Sequence, residues 1–170
     1  YLVKQKRLGT FAKPEHYQRG FSKLPFKIGL PRSEFDQYLQ IHGAPPNLSP
    51  EQLDHLYTQY GIGSFEIIAT VKANPELGQP LIENHPYCSA EVQYILKHEY
   101  ALKLSDVLSR RTEAQWNVRI NKQRALAEAT ARILSTHYSW DRNKEESEVE
   151  EYLALVDYNH SFINTALGLG

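Results

Sequence analysis

Apolar side chains recur along this chain at intervals of three and four, the spacing that lines one face of a helix, and no stretch alternates long enough to make a strand. From residue 32 onward the helices have readable ends. Ser33 is placed to cap a helix carrying Phe35, Leu39 and His42 on one side and stopping at Gly43. The next start is the clearest in the chain. Ser49 is the N-cap, Pro50 takes the first helical position, Gln52 completes a capping box, and Leu48 and Leu53 form the hydrophobic staple. Leu56, Tyr57 and Tyr60 continue that face until Gly61. Ser64 opens a third helix with Phe65, Ile68 and Val71, ended near Asn74–Pro75.

After a loop over 76–88, Val92, Ile95 and Leu96 make the stripe of a fourth helix, and Ser105 or Asp106 caps a short fifth one bearing Val107 and Leu108. Residues 121–138 place Leu126, Ala129, Ile133 and His137 on one face, with Arg124, Glu128 and Arg132 on an exposed one. The last helix begins at Asp141. Glu145, Glu146 and Glu148 sit near its positive end, and Val149, Leu153 and Val156 form its buried stripe. The expectation is an all-α fold, an irregular bundle of six to eight helices over 32–160, with an irregular basic segment at 1–31 and a tail at 161–170.

The first segment earns the word basic from its charge. Residues 1–32 hold eight Lys and Arg against Glu15, a net of +7, which leaves −8 for the rest of a chain whose total is −1. Such an arm is a solvated connector or a contact for an acidic surface. At 41% hydrophobic and 23% charged, the 170 residues suit one ordinary domain with a real core. No apolar run approaches the ~20 residues of a membrane span. The single Cys88 rules out an internal disulfide and suits a reducing compartment. With no methionine anywhere, the expectation is a domain excised from a longer protein.

Candidate chemistry is sparse. "YGIGSF" (60–65) has Gly61 and Gly63 but Glu66 where a dinucleotide fingerprint needs its third glycine, and it follows a helix rather than a strand. As a phosphate-binding helical hairpin it has the wrong sign. Residues 49–76 carry Glu51, Asp54, Glu66 and Glu76 against Lys72, so nucleic acid is not an expected partner. No Glu-x-x-His occurs, and the Glu51/His55 pair has no fellows, so no metal site is expected. Cys88 precedes a helix start, where a dipole lowers a thiol pKa, but a small buried hydrophobe is the simpler role. No catalytic, cofactor-binding or metal-ligating residue is assigned.

The stretch "HPYCSAEVQYILKHEYALKLSDVLSRRT" (85–112) resembles the C-terminal helical domain of FAD-dependent glycerol-3-phosphate dehydrogenases and the related glycerophosphate oxidases. The resemblance is carried by Ala90–Glu91–Val92, Tyr94, Glu99–Tyr100–Ala101, Asp106–Val107–Leu108 and Arg110–Arg111–Thr112, at the family's own spacing. "LSPEQLDHLYTQYG", and Trp140–Asp141 with Tyr152 and Val156, extend it to about 120 residues; Glu113 departs from the arginine usual there. The resemblance implies a parent enzyme that oxidises sn-glycerol 3-phosphate to dihydroxyacetone phosphate. A hydride passes to FAD and electrons go on to quinone or oxygen. FAD and the substrate groups would lie in a preceding flavin domain, the expected partner, with no cofactor held by this segment. A homo-oligomer, and a parent that is cytoplasmic or peripheral on the inner membrane surface, fit the same picture. The rival reading is a free-standing helical interaction module using the basic arm. Within the matched stretch, Glu91, Glu99, Arg110 and Arg111 are the structural or interface candidates. Adjacent helical residues diverge, so one arginine is expected to turn inward to Glu91 or Glu99 and the other outward.

Overall fold

A capping box, a proline and a pair of glycines set the frame from which the rest of the bundle hangs. The computed structural model describes residues 30–166, with side chains through residue 161. Seven α-helices lie among them: α1 (Arg32–His42), α2 (Pro50–Tyr60), α3 (Ser64–Ala73), α4 (Ser89–His98), α5 (Ala114–Asn117), α6 (Gln123–Tyr138) and α7 (Arg142–Ala166). Extended pairing among the described residues is limited to one isolated bridge, Pro80 with Cys88. The all-α expectation holds. The expectation for residues 1–29 lies outside the described residues.

Helix α2 begins as its sequence dictates. Ser49 Oγ accepts the Gln52 amide at 3.1 Å while Gln52 Oε1 accepts the Ser49 amide at 3.0 Å. The same Gln52 is buried and donates through Nε2 to the Gly78 carbonyl, so the cap also fastens the turn that follows α3. Gly61, at φ 51°, ends α2. The tight turn Gly61–Gly63 then doubles α3 back, and a Cβ at Gly63 would collide with the Tyr94 hydroxyl of α4. Glycine there is demanded by packing.

Packing runs in series: α2 on α3, α3 on α4, α4 on α6, α6 on α7. Phe35, Leu56, Ile67, Ile68, Ile95, Leu104, Leu126 and Leu134 are fully buried along that line. Polar ties cross it. Tyr152 donates to Gln123 Oε1 at 2.6 Å, and Gln123 Nε2 reaches the carbonyls of Gln115 and Val118, joining α7 through α6 to α5.

The structure corrects several boundaries. Pro31, not Ser33, stands at the start of α1, its carbonyl accepting the amides of Glu34 and Phe35, because the proline backbone already turns the chain into the helix. The buried face of α6 is Leu126, Ala127, Thr130, Ala131 and Leu134, whereas Ala129 and Ile133 are half-covered and His137 is exposed. The short fifth helix is a π segment, Asp106–Arg111, in which Thr112 donates back five residues to the Val107 carbonyl at 3.0 Å. Asp106 does cap, but backwards: its carboxylate accepts the amides of Leu102 and Lys103. Helix α5 has no sequence signal, and α7 runs six residues into the segment expected as a tail.

Candidate functional site

Glu91 lies in the first turn of α4 and is fully buried. Two side chains of α2 converge on its Oε1: Tyr60 donates from its hydroxyl at 2.7 Å, and His55 Nε2 lies at 2.7 Å. With Glu91 ionised, Oε1 accepts both the Tyr60 hydroxyl proton and the proton of a His55 tautomer that carries one on Nε2. Charge-assisted bonds of this length are the strong kind. Oε2 has no hydrogen-bond partner among the described residues. Burial, and then the Glu91 charge, push the Tyr60 hydroxyl well above the usual phenol range, so Tyr60 remains a donor. The sequence hides this cluster because His55 and Tyr60 stand more than thirty positions from Glu91. His55 pairs with Glu91, not with Glu51 one turn away.

Around that centre the aromatic rings close. Tyr87 meets His55 edge-on at 5.3 Å between ring centres and stacks on His85, and Tyr94 meets Tyr60 edge-on at 5.4 Å. Cys88 is also fully buried. Burial, reinforced by Glu91, pushes its thiol up to about 12, outweighing the lowering by the α4 amides of Glu91 and Ala90. A thiol so seldom ionised is a poor nucleophile. Its position before a helix start gives it no activated character, and it packs as an apolar side chain.

The two arginines part company. Arg111 turns inward, its Nε 3.2 Å from Glu99 Oε2 while Nη2 donates to the Glu99 carbonyl at 2.8 Å. Burial raises the Glu99 carboxyl and the Arg111 charge works against that rise. Arg110 points outward, 71% exposed, and among the described residues pairs with Asp106 one turn back at 3.1 Å. Glu99 is thus the inward partner, and Glu91 belongs to the other cluster.

A groove of about 690 Å³ opens between the Pro75–Gly78 turn, α4 and α6, floored by Leu77, Leu81, Leu96 and Ile133 with Lys97 and Arg132 at its edge. Gly63 of the Gly61–Gly63 turn packs directly against the Tyr94 side chain of α4. Among the described residues no group of three His, Cys, Asp or Glu is placed to hold a metal ion, and no helix is long and apolar enough to cross a membrane. What the buried clusters do is fix helices: Glu91 ties α2 to α4, and Arg111 ties the π segment to the end of α4.

Residues 15–145 match the family described as the C-terminal domain of alpha-glycerophosphate oxidase. The chain is 37% identical over 122 residues to the mitochondrial glycerol-3-phosphate dehydrogenase of Bos taurus, covering 68% of this chain and 16% of that protein. It is 36% identical over 122 residues to the mitochondrial glycerol-3-phosphate dehydrogenase of Homo sapiens, with the same shares. It is 27% identical over 140 residues to a Synechocystis glycerol-3-phosphate dehydrogenase, covering 82% of this chain and 24% of that protein. The chain thus spans a quarter or less of the length of these relatives. No solved structure matches it.

Proposed function

This chain belongs to the family of the C-terminal domain of alpha-glycerophosphate oxidase, and from that premise we propose that it is the helical cap of a flavin-dependent enzyme that oxidises sn-glycerol 3-phosphate to dihydroxyacetone phosphate. The hydride goes to FAD on the polypeptide that precedes the cap, and the electrons pass on to quinone or oxygen. The observation that carries this reading is the match over 15–145 to a domain named for its C-terminal place, joined to relatives named for glycerol-3-phosphate dehydrogenation. The geometry supports the division of labour. The buried polar side chains are spent on holding helices, the one thiol is held protonated, and the glycine turn is packed rather than open. The cap covers the flavin domain and sets the contact between the two. The relatives from cattle and human are named as mitochondrial, which supports a mitochondrial parent.

The test compares the complete protein with one lacking residues 30–166. Both are assayed for bound FAD by absorbance and for reduction of a dye acceptor by sn-glycerol 3-phosphate. The complete protein is expected to hold FAD and reduce the dye, and the shortened one to lose flavin and rate together. A complete protein whose flavin is not reduced by sn-glycerol 3-phosphate rejects the proposed activity. A shortened protein that works as well as the complete one rejects the cap role.

A further inference from the structure

The loop that joins α4 to the π segment is held from three sides. Arg111 grips the Glu99 carbonyl at 2.8 Å, and Tyr138 of α6 donates to the Ala101 carbonyl at 2.8 Å. Asp106 accepts the amides of Leu102 and Lys103 at 3.1 and 3.0 Å, and the buried Glu148 of α7 accepts that of Leu104 at 2.9 Å. Ala101 and Leu104 are buried beneath it. Between these fixed points Tyr100 takes a left-handed backbone, φ 54°, a conformation that a bulky aromatic residue rarely adopts. Its ring nevertheless gains nothing inside the domain: Tyr100 is 89% exposed, and Leu102 beside it is 61% exposed. Arg110, also outward, stands on the segment that this loop leads into.

Strain of this kind persists where the surroundings over-determine it, and it gathers at ligand-contacting loops. An aromatic and an aliphatic side chain presented on a rigid loop, with their ordering entropy already lost, make an efficient docking element. The occupant follows from the size of the protein. The family is a C-terminal domain, and the chain covers only 16–24% of its glycerol-3-phosphate dehydrogenase relatives, so the polypeptide to be covered is the large part that precedes it. We propose that Tyr100 and Leu102 are the apolar anchor by which this domain docks on the preceding flavin-binding part of its own enzyme, with Arg110 at the edge of the contact. This rests on the reading under the previous heading and assigns it a surface.

The experiment uses the complete enzyme with p-benzoylphenylalanine in place of Tyr100. After irradiation, a product of monomer size whose cross-linked peptides lie before this domain supports the assignment. Cross-links to a second copy, cross-links confined to residues 30–166, or none, overturn it. In parallel, Tyr100→Gly, which relieves the left-handed backbone and so spares the fold, is combined with Leu102→Asp. The pair is expected to release flavin roughly tenfold faster than the parent, as loss of an interface anchor does, while Ile41→Asp on exposed α1 leaves the rate alone. If deletion of residues 30–166 weakens flavin retention but the paired variant and the cross-linker do nothing, this surface is wrong and the cap reading stands. If the deletion itself has no effect, the cap reading falls first.

Discussion

Glu91 shows how one residue can be expensive to keep and more expensive to disturb. A buried carboxylate is tolerated because Tyr60 and His55 donate to it. Tyr60→Phe removes one charge-assisted bond and is expected to cost about 1.5–3 kcal/mol in urea unfolding, with the aromatic packing on Tyr94 retained. A loss below a few tenths of a kcal/mol, the level of an ordinary surface change, would remove this cluster from the account. Cys88 makes a prediction in pH. Its folded thiol sits at about 12 against an ordinary 9.0, so the unfolded chain ionises first. The stability it contributes is complete below pH 9.0 and drains away as pH rises toward about 12. Tyr60 and Tyr152, raised by burial, carry the decline further. Cys88→Ala should flatten the fall of unfolding free energy over that window by up to one bound proton, measured by urea titrations at successive pH values. Parallel curves for the two proteins would show that this thiol is not held protonated by the fold.

At the scale of elements, the π segment depends on contacts that bridge it to its neighbours. Thr112 donates from both its amide and its hydroxyl to the Val107 carbonyl, and Arg111 ties the segment to the end of α4. Arg111→Ala is expected to speed amide exchange across residues 99–112 roughly tenfold, whereas Arg110→Ala, removing an exposed pair one turn apart, changes stability by under about 0.5 kcal/mol. Equal effects from the two arginines would refute the inward and outward assignment. The α2–α3 turn gives a steric counterpart. Gly63→Ala is expected to cost on the order of 1–3 kcal/mol by overpacking, and Tyr94→Phe, which deletes the nearest atom, should recover part of it. Full independence of the two changes in a double-mutant cycle would deny the contact.

For the whole molecule, the proposal is that the reaction centre lies on other polypeptide and that this domain supplies cover. Purified by itself, the chain is expected to be colourless and without dehydrogenase activity. Stoichiometric flavin absorbance in that preparation would overturn the assignment. The open groove between α4 and α6 belongs to this scale too: the half-covered Ala129 and Ile133 line it.

Much of the architecture was legible before any coordinates. Capping at Ser49, the glycine stop at Gly61, the start at Ser64 and the stripe of α4 are local effects, decided by backbone groups within a few residues of one another, and the chain obeys them. What periodicity leaves undecided is which side of a stripe finds a partner. Periodicity grouped Ala129, Ile133 and His137 with Leu126, whereas packing buries Leu126 with Ala127, Thr130, Ala131 and Leu134. The π segment, the backward cap by Asp106 and the meeting of His55, Tyr60 and Glu91 depend on groups from different helices brought together by packing. Sequence alone determined the helical class, the boundaries of α2, the start of α3 and which residues carry the family's spacing. Only the tertiary structure decided which carboxylate each donor reaches, which arginine turns inward and which aromatic ring is left in water, because those choices turn on distances between helices and no local rule contains them.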